Sequence, residues 1–375
     1  MMTMNIERFV SKGKGNGLRA LREIKAGEAI HSCEPYSFCI AKDFLKTACH
    51  SCLKRGESLS RCSQCKTARY CSVQCQKQAW PDHKRECKCL KRLQPRIPTD
   101  SVRLLTRIIF KLLSQSESDQ EELYSIAEHQ SHLADMSEEK KEGLGHLCTT
   151  LQVYLGEENG DLSQLPPGLD PISLLARVTC NCFSISDGEL QDVGVGLYLS
   201  MSLLNHDCQP NCVMISEGKR LTLRAVRLIR PCEEVQYTYF LKRRLSSFLI
   251  ELLKESQALL HRYTDVVPDR NIYVLRLLDL SMDACISLDD YKTALEYGNR
   301  ALETYKLYYS DPHPSRAVEL LRVGKLQHYM GRLEEAQGSF TQAYDIMKVT
   351  HGTDHVLTNE VRRKLSECQA ELGQV

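Results

Sequence analysis

Residues 49–87 read CHSCLKRGESLSRCSQCKTARYCSVQCQKQAWPDHKREC, and this stretch decides how the surrounding chain is organised. Two C-x2-C pairs are followed by two further pairs of cysteine or histidine residues, each spaced four apart. So short a segment buries too little apolar area to fold alone, so bound metal has to supply folding free energy. The alternative, a set of free buried thiols, leaves the regular spacing unexplained. Eight ligands with no open position predict two structural zinc sites, formed by Cys49, Cys52, Cys62, Cys65, Cys71, Cys75, His83 and Cys87.

Length and composition indicate an ordinary globular protein. The chain has 375 residues, 18 cysteines and a formal net charge of +1, enough for two or three domains. Its first residues, MMTMNIERFVSKGKGNG, lack the apolar segment of a secretory signal, so we expect reduced thiols and a location in the cytoplasm and nucleus. The most apolar stretch, residues 102–113, is interrupted by Arg103, Arg107 and Lys111, so no membrane span is predicted.

The cysteine-rich stretch is also basic. Residues 49–96 carry twelve Lys or Arg against three Asp or Glu, and two zinc ions with seven thiolates lower their formal charge from +9 to about +6. A patch of this strength attracts nucleic acid or acidic peptide. The alternative is a solvated surface that keeps a small module soluble. Tyr70 and Trp80 are its only aromatic residues with large flat rings, so stacking on bases is not indicated.

Two segments on either side of this stretch resemble each other. LRALREIKAGEAI, residues 18–30, and LRAVRLIRPCEEV, residues 223–235, agree at six of thirteen positions. Both are strand-like runs around a turn, so we interpret them as one strand-turn-strand unit used twice in a single small sheet fold. Everything between the two copies is then an insertion. A chance match between short hairpins is the alternative.

The inserted chain is predicted to be largely helical. Asp100 is a candidate helix cap, and the apolar residues after it recur at helical spacing through Leu113. SEEKKEGLGHLCTTLQVYL, residues 137–155, has a second helical pattern.

Several short motifs outside the cysteine-rich stretch carry a family resemblance. They are GKGNGLRA (13–20), CNCFSI (180–185), GVGLY (194–198), SLLNHDCQPN (202–211) and EEVQYTY (233–239). These motifs resemble those of SET-domain protein-lysine methyltransferases, and residues 49–87 resemble a MYND zinc finger. A MYND finger that splits a SET domain is typical of the SET and MYND family.

The resemblance implies an α+β multidomain architecture: a small β-rich SET fold split by the finger and a helical insert, followed by an all-α tetratricopeptide-like domain. The implied boundaries are 1–48 and 180–240 for the SET domain, 49–87 for the finger, 98–179 for the insert and 245–375 for the last domain. In the family the two zinc sites interleave. One zinc would be held by Cys49, Cys52, Cys71 and Cys75, and the other by Cys62, Cys65, His83 and Cys87.

The resemblance also implies an activity, which is transfer of a methyl group from S-adenosylmethionine to lysine of histone and non-histone proteins. The implied cofactor-binding residues are Lys14, Gly15, Asn16, Tyr124, His132, Asn181, Asn205, His206 and Tyr239. Tyr239 would orient the methyl group and the amine, and Phe183 would form a wall of the lysine channel. For an isolated Tyr or Phe, plain core packing is the alternative.

Three departures from the family pattern stand out. Asp207 replaces a serine, and Cys232 replaces a glycine that the first copy keeps as Gly27, so we expect a strained turn. The family also places a C-x-C-x2-C cluster after the catalytic tyrosine, where it binds a third zinc with the equivalent of Cys208. Here residues 240–260 read as a helix, so we expect two zinc ions and a shortened chain that lacks one side of the channel.

Residues 290–375 contain an internal repeat. Tyr291, Ala294, Ala301 and His313 recur 42 residues later as Leu333, Ala336, Ala343 and His355. Small residues at such intervals predict helix pairs that resemble tetratricopeptide repeats. By the resemblance, this domain either takes the acidic tail of a chaperone or serves only as a lid, while the finger takes proline-rich peptides or DNA.

Two functional hypotheses remain from the sequence. The first is a monomeric protein-lysine methyltransferase, and the second is a catalytically impaired scaffold whose finger and helical repeats recruit other proteins. The joined motifs favour the first hypothesis, whereas the missing cysteine cluster favours the second.

Overall fold

The computed structural model describes residues 5–114, 123–156, 162–188, 191–207, 209–237, 260, 271–309 and 311–373. Cys208 and Tyr239, both singled out by the sequence, lie outside the described residues. The chain divides into two compact units. The first comprises Met1–Arg19, His31–Asn205 and Ser216–Thr222, and the second comprises Ala20–Ile30, His206–Ile215 and Leu223–Val375.

The strands are short and lie before, within and after the finger. They are β1 (Ile6–Ser11), β2 (Gly15–Ala20), β3 (Ala29–Cys33), β4 (Ser37–Ile40), β5 (Ser60–Arg61), β6 (Arg69–Tyr70), β7 (Cys182–Ser186), β8 (Asp192–Leu197), β9 (Asn205–His206), β10 (Cys212–Glu217), β11 (Arg220–Ala225) and β12 (Glu234–Tyr237).

The helices begin in the second half of the finger and continue through the insert and the C-terminal third. They are α1 (Val73–Leu93), α2 (Asp100–Leu112), α3 (Glu138–Leu155), α4 (Pro171–Asn181), α5 (Ile272–Ser287), α6 (Tyr291–Tyr308), α7 (Pro314–Tyr329), α8 (Leu333–Thr350) and α9 (Val356–Leu372). Among the described residues, none of these helices is long and apolar enough to cross a membrane.

In the first unit, β4, β8 and β7 form an antiparallel sheet with β8 at its centre. Phe38 of β4 and Phe183 of β7 both pair with Gly196 of β8. A Cβ at Gly194 would lie 2.9 Å from the Cys39 carbonyl oxygen, so only glycine fits there without displacing its neighbours. Phe183 therefore lies on a strand, β7, whose neighbour β8 is closely packed.

The finger shares its core with the insert. Its buried Tyr70 belongs to one apolar cluster together with Leu90 of α1 and residues of α2, α3 and α4. The sequence correctly predicted that residues 49–87 cannot bury a core of their own. Metal is not the only source of stability for the finger, because the insert supplies the missing apolar surface.

The predicted helices of the insert are present, with one correction at the start of α2. Thr99 is the cap residue and makes no side-chain capping bond, whereas Asp100 is the first residue of the helix. The Asp100 carboxylate instead accepts a 2.9 Å hydrogen bond from the backbone N–H of Lys42. The prediction failed because a tertiary partner took the carboxylate that a local cap would have used.

In the second unit, the two copies of the duplicated segment pair with each other. Ile24 and Ile229, which are equivalent positions, exchange two 2.9 Å backbone hydrogen bonds across an antiparallel bridge. Ala20 N–H bonds to Glu233 O at 2.9 Å, and the equivalent Ala225 N–H bonds to Glu28 O at 3.0 Å. This reciprocity excludes a chance match and confirms one unit used twice.

The strained turn predicted at Cys232 is also present. Cys232 has φ of 65°, in the left-handed region that favours glycine, and its counterpart Gly27 has φ of 83°. The second copy therefore retains the turn conformation with a side chain that opposes it.

The C-terminal helices repeat as predicted. Tyr291 begins α6 and Leu333 begins α8, so the 42-residue spacing marks equivalent helix starts. His313 and His355 cap the helices that follow, and the Nδ1 of each accepts a 3.2 Å bond from a backbone N–H two residues later. The repeat therefore comprises helix pairs with the same capping chemistry.

Candidate functional site

Two groups of four metal-ligand atoms come together in the finger, divided as the sequence predicted. Within each group all four ligand atoms lie within 4.8 Å of one another. Sulfur–sulfur distances are 3.7 Å for Cys52–Cys71 and 3.8 Å for Cys62–Cys87. A tetrahedral zinc with Zn–S bonds of about 2.3 Å requires sulfurs about 3.8 Å apart, so both groups fit zinc. We call them cluster 1 (Cys49, Cys52, Cys71, Cys75) and cluster 2 (Cys62, Cys65, His83, Cys87).

The two clusters lie in different surroundings. All four residues of cluster 2 are buried, whereas in cluster 1 only Cys49 is buried and Cys71 is exposed. Cys75, His83 and Cys87 lie on α1, and Cys71 precedes the helix cap Ser72. The helix that carries these ligands therefore continues six residues beyond Cys87, the last ligand.

Asn205, the first residue of the NHDCQPN segment, meets the glycine loop in the first unit. The side-chain Nδ2 of Asn205 donates a 3.1 Å hydrogen bond to the backbone oxygen of Asn16, across 189 positions of sequence. Gly15 has φ of 82°, and a Cβ there would meet nothing within 4 Å. The loop thus has an open side next to Gly15, and its neighbour Lys14 is exposed.

Tyr124 lies beside Asn16 and is held by a charged pair. Its hydroxyl donates to the Glu128 backbone oxygen at 2.8 Å, and the Arg8 guanidinium lies 4.9 Å from the centre of its ring. Arg8 also donates to Asn16 Oδ1 at 3.3 Å and pairs with Glu128 at 2.7 Å. The bond from Arg8 lowers the pKa of Glu128, whereas burial raises the pKa of Tyr124, so the tyrosine keeps its proton.

A chain of contacts continues from Tyr124 to the end of α4. The ring of His129 stacks on Tyr124 with centroids 4.4 Å apart, and the carbonyl oxygen of His129 accepts a 3.1 Å bond from Arg177. Asn181 Nδ2 donates to Gln130 O at 2.9 Å and to Arg177 O at 2.7 Å. His132 lies two residues further on, exposed and with φ of 52°.

The remaining predicted site residues are placed as follows. Phe183 is buried on β7, with its ring 6.1 Å from that of Tyr198 in an edge-to-face arrangement. His206 is exposed and belongs to the second unit, directly after Asn205. The structure therefore brings Asn16, Tyr124 and Asn205 together and leaves the roles of the other residues as predictions.

The described residues fit a zwitterionic, adenosine-bearing cofactor. The open space at Gly15 admits close backbone approach, and the exposed Lys14 ammonium is suited to a carboxylate. The Nδ1–H of His129 donates to the Ser125 oxygen at 2.8 Å, and its Nε2 is buried without a hydrogen-bond partner among the described residues.

Comparison with known proteins shows the family to which this chain belongs. Residues 49–87 match the MYND finger family, and residues 273–348 match a tetratricopeptide repeat family. Histone-lysine N-methyltransferase SMYD3 of Homo sapiens is 39% identical over 425 residues, covering 99% of this chain and 99% of the relative. The chain belongs to the SET and MYND domain family of protein-lysine methyltransferases. N-lysine methyltransferase SMYD2 of Homo sapiens is less similar, at 29% identity over 96% of this chain and 98% of the relative.

The alignment also shows that this chain lacks positions that the relative has. It spans 425 positions, whereas the chain has 375 residues, so at least 50 positions of the relative have no counterpart here. A shortfall of this size agrees with the missing cysteine cluster that the sequence indicated.

Among solved structures, the SET domain of LSMT bound to methyllysine and AdoHcy covers 98% of this chain and 89% of that chain, with 12% identity and a TM-score of 0.38. A putative kinesin light chain of Podosopora anserina with TPR-like repeats covers 34% of this chain and 59% of that chain, with 15% identity and a TM-score of 0.30. Both TM-scores are below 0.5, so neither likeness bears on the fold.

Arg8 and Glu128 are the site residues that sequence reasoning missed. Ser125 and Glu128 have the S-x-x-E spacing of a capping box, and the Glu128 carboxylate accepts bonds from the Ser125 N–H at 2.9 Å and hydroxyl at 3.0 Å. That spacing was a usable signal. Arg8 gave none, because its partner is 120 positions away.

Proposed function

We propose that this chain transfers a methyl group from S-adenosylmethionine to lysine side chains of histone and non-histone proteins. The observation that carries the proposal is the Asn205–Asn16 hydrogen bond, which joins the glycine loop to the first residue of the NHDCQPN segment within one compact unit. Family membership and the printed activity of relatives at 39% identity support it.

Cofactor binding is assigned to the residues around this bond. Lys14 offers a cation for the amino-acid carboxylate, Gly15 leaves room for the cofactor backbone, and Asn16 and Asn205 offer amide groups. Tyr124, His132, Asn181 and His206 complete the proposed set. When bound, the cofactor supplies an electrophilic methyl group on a sulfonium, with a neutral thioether as leaving group.

The lysine side of the reaction is assigned to Phe183 and Tyr239. Transfer requires a neutral amine in line with the methyl group, so the chain's own residues have to align both partners and exclude water. The buried Phe183 ring on β7 provides an apolar wall for the lysine stem. The Tyr239 hydroxyl is proposed to orient the amine and the methyl group.

Two measurements test the proposal. Calorimetric titration with S-adenosylhomocysteine asks whether the pocket binds cofactor, and we expect one site per chain. Transfer of tritiated methyl groups to core histones, run beside Tyr239→Phe, asks whether chemistry follows. Cofactor binding without label above the Tyr239→Phe background would reject catalysis while preserving the binding site.

The shortfall of at least 50 positions favours a second candidate, a scaffold that has lost catalysis. Zinc analysis bears on it directly. Two zinc ions per chain would agree with loss of the third family site, whereas three would show that the site persists. A scaffold binds partner proteins normally when Tyr239 is replaced, and it transfers no methyl group.

The MYND finger and the tetratricopeptide-like domain are protein-interaction modules, and their specific ligands are part of the proposal. The basic finger is assigned proline-rich peptides or DNA, and the helical repeats are assigned the acidic tail of a chaperone. We place the protein in the cytoplasm and nucleus, as a monomer. Pull-downs with each separate ligand class, using the full chain, would test these assignments.

A further inference from the structure

Glu86 is a fully buried carboxylate between cluster 2 and α2. It is 0% exposed, and its Oε2 accepts a 2.7 Å hydrogen bond from Arg107 Nε. Arg103 Nε lies 3.5 Å from its Oε1, and the Tyr154 hydroxyl donates to the same oxygen at 3.4 Å. On its other side the zinc ligand His83 presents Nδ1 at 3.9 Å from Oε2. One carboxylate thus faces a metal ligand and two buried arginines.

The orientation of His83 gives Glu86 a role toward the metal. His83 Nε2 lies 3.6 Å from Cys65 Sγ and therefore points into the cluster. Nδ1 then carries the proton, and it has no hydrogen-bond partner in the structure. Glu86 is the carboxylate that faces this proton, as in the carboxylate–histidine–zinc arrangements that hold an imidazole in its ligating orientation.

Arg103 and Arg107 contact both Glu86 and strand β4. Arg103 donates to the carbonyl oxygen of Ile40 at 2.7 Å, and Arg107 donates to that of Phe38 at 2.7 Å. Lys111, one turn further along α2, donates to Tyr36 O at 2.8 Å. Cations spaced four apart on α2 therefore satisfy alternate carbonyl groups along one edge of β4.

Zinc in cluster 2 contributes to the charge balance of this buried region. Arg103 and Arg107 contribute two positive charges and Glu86 one negative charge. Asp100, which lies 3.9 Å from Arg103, contributes a second negative charge, and a zinc ion with three thiolates and one neutral imidazole adds a formal charge of −1. Buried charges without such compensation are costly, because the interior solvates them poorly. The zinc of cluster 2 is thus part of the electrostatics that retain the arginines.

We propose that Glu86 is a positioning residue that couples zinc occupancy of cluster 2 to strand β4, and through it to the sheet that carries Phe183. The register supports this route, because Phe38 and Phe183 pair with the same residue, Gly196. Cluster 1 has no such connection to α2 among the described residues, and its exposed Cys71 faces away from the buried network. The proposal concerns metal and sheet and stands whether or not the chain transfers methyl groups.

The first test measures zinc release to a colorimetric chelator. In Glu86→Gln one of the two zinc ions is expected to leave about 10- to 100-fold faster than in the native chain, while the other leaves at the native rate. Asp82→Asn is the matched control, since Asp82 is an exposed carboxylate on the same helix and next to His83. Equal release from Glu86→Gln and the native chain would overturn the metal half of the proposal.

The second test uses hydrogen exchange and remains decisive if Glu86→Gln does not fold. Cys62→Ser removes a ligand of cluster 2, and Cys52→Ser removes a ligand of cluster 1. Amides of residues 37–40 are expected to exchange faster in Cys62→Ser than in Cys52→Ser. The same response in both variants, or faster exchange through all helices of the chain, would overturn the coupling to β4.

Discussion

The finger and the C-terminal helical domain are both built from short elements around buried polar groups, but they are held together differently. The finger has eight metal ligands in two clusters and shares the apolar core of the insert. The helical domain has apolar clusters of its own, such as that of Met282, Leu295 and Val323 between its helices. Metal therefore dominates the stability of the one and side-chain packing that of the other.

The finger and the helical domain also differ in the surroundings of their buried carboxylates. In the finger, Glu86 is ionised and paired with two arginines. In the helical domain, Glu319 is buried and Asp279 is half-buried, and each has one carboxylate oxygen without a hydrogen-bond partner. Burial raises the pKa of Glu319 to about 7 and that of Asp279 to about 6. The two regions consequently differ in how pH affects them.

Removal of zinc should produce the largest difference between the regions. Zinc-finger peptides gain about 10–16 kcal/mol of apparent binding free energy per zinc, so Cys52→Ala is expected to unfold cluster 1 and lower solubility. Calorimetry of the native chain with excess chelator should lose the transition of the finger and retain that of the helical domain. An unchanged melting temperature and zinc content in Cys52→Ala would contradict the ligand assignment.

A change of pH should move the two regions in opposite directions. The folded pKa values of Glu319 and Asp279 lie above their ordinary values of 4.5 and 3.8, so the folded helical domain binds more protons than the unfolded one. Its stability should fall by about 4 kcal/mol as pH rises from 5 to 8, while zinc retention improves because thiolates replace thiols.

Thermal melts and zinc release across that range check both directions. Glu319→Gln is the control, because it removes the titrating group and should flatten the pH dependence of the helical melt. A finger and a helical domain that both gain stability with rising pH would contradict this account.

Packing should matter most where the helices of the C-terminal domain cross. A Cβ at Gly324 on α7 would lie 2.7 Å from the ring of the buried Phe340, so Gly324→Ala should cost about 1–3 kcal/mol. The exposed Gly338 on α8 is the matched control, because a Cβ there meets nothing within 4 Å and Ala should stabilise the helix by about 1 kcal/mol. Denaturant melts of both variants measure the difference, and equal effects would refute close packing at Gly324.

Loss of a helix cap should give the smallest effect, and the effect should be smaller in the finger than in the helical domain. Ser72 accepts a bond from Cys75 N–H at 3.1 Å, and Asp290 accepts one from Thr293 N–H at 3.2 Å. Asp290→Ala should cost about 1 kcal/mol in the helical domain. Ser72→Ala should cost much less, because zinc already fixes Cys71 and Cys75 on either side of the cap. A larger loss from Ser72→Ala, measured by thermal melts, would mean that metal does not dominate there.

Much of the fold could be predicted because its signals are local. The spacing of the eight ligands predicted two zinc sites, and the family resemblance implied how the ligands divide between them. The sequence match between residues 18–30 and 223–235 predicted a pair that the backbone bonds of Ile24 and Ile229 confirm. The predictions that failed concern residues whose partners are distant in the sequence. Asp100 had the composition of a cap, and only the position of Lys42 shows otherwise. Glu86 stands in a basic run that reads as solvated surface, and nothing local distinguishes a buried carboxylate from an exposed one.

The reciprocal pairing of the duplicated segment also bears on how the chain is made. The first copy leaves the ribosome about 200 residues before the second, which is roughly 10–40 s at ordinary rates of synthesis. During that interval its backbone groups lack their partner, and the second copy of a neighbouring nascent chain offers the same hydrogen bonds. Exchange between chains on one polysome therefore competes with the native pairing, and rapid folding of the intervening segment is what favours the native partner.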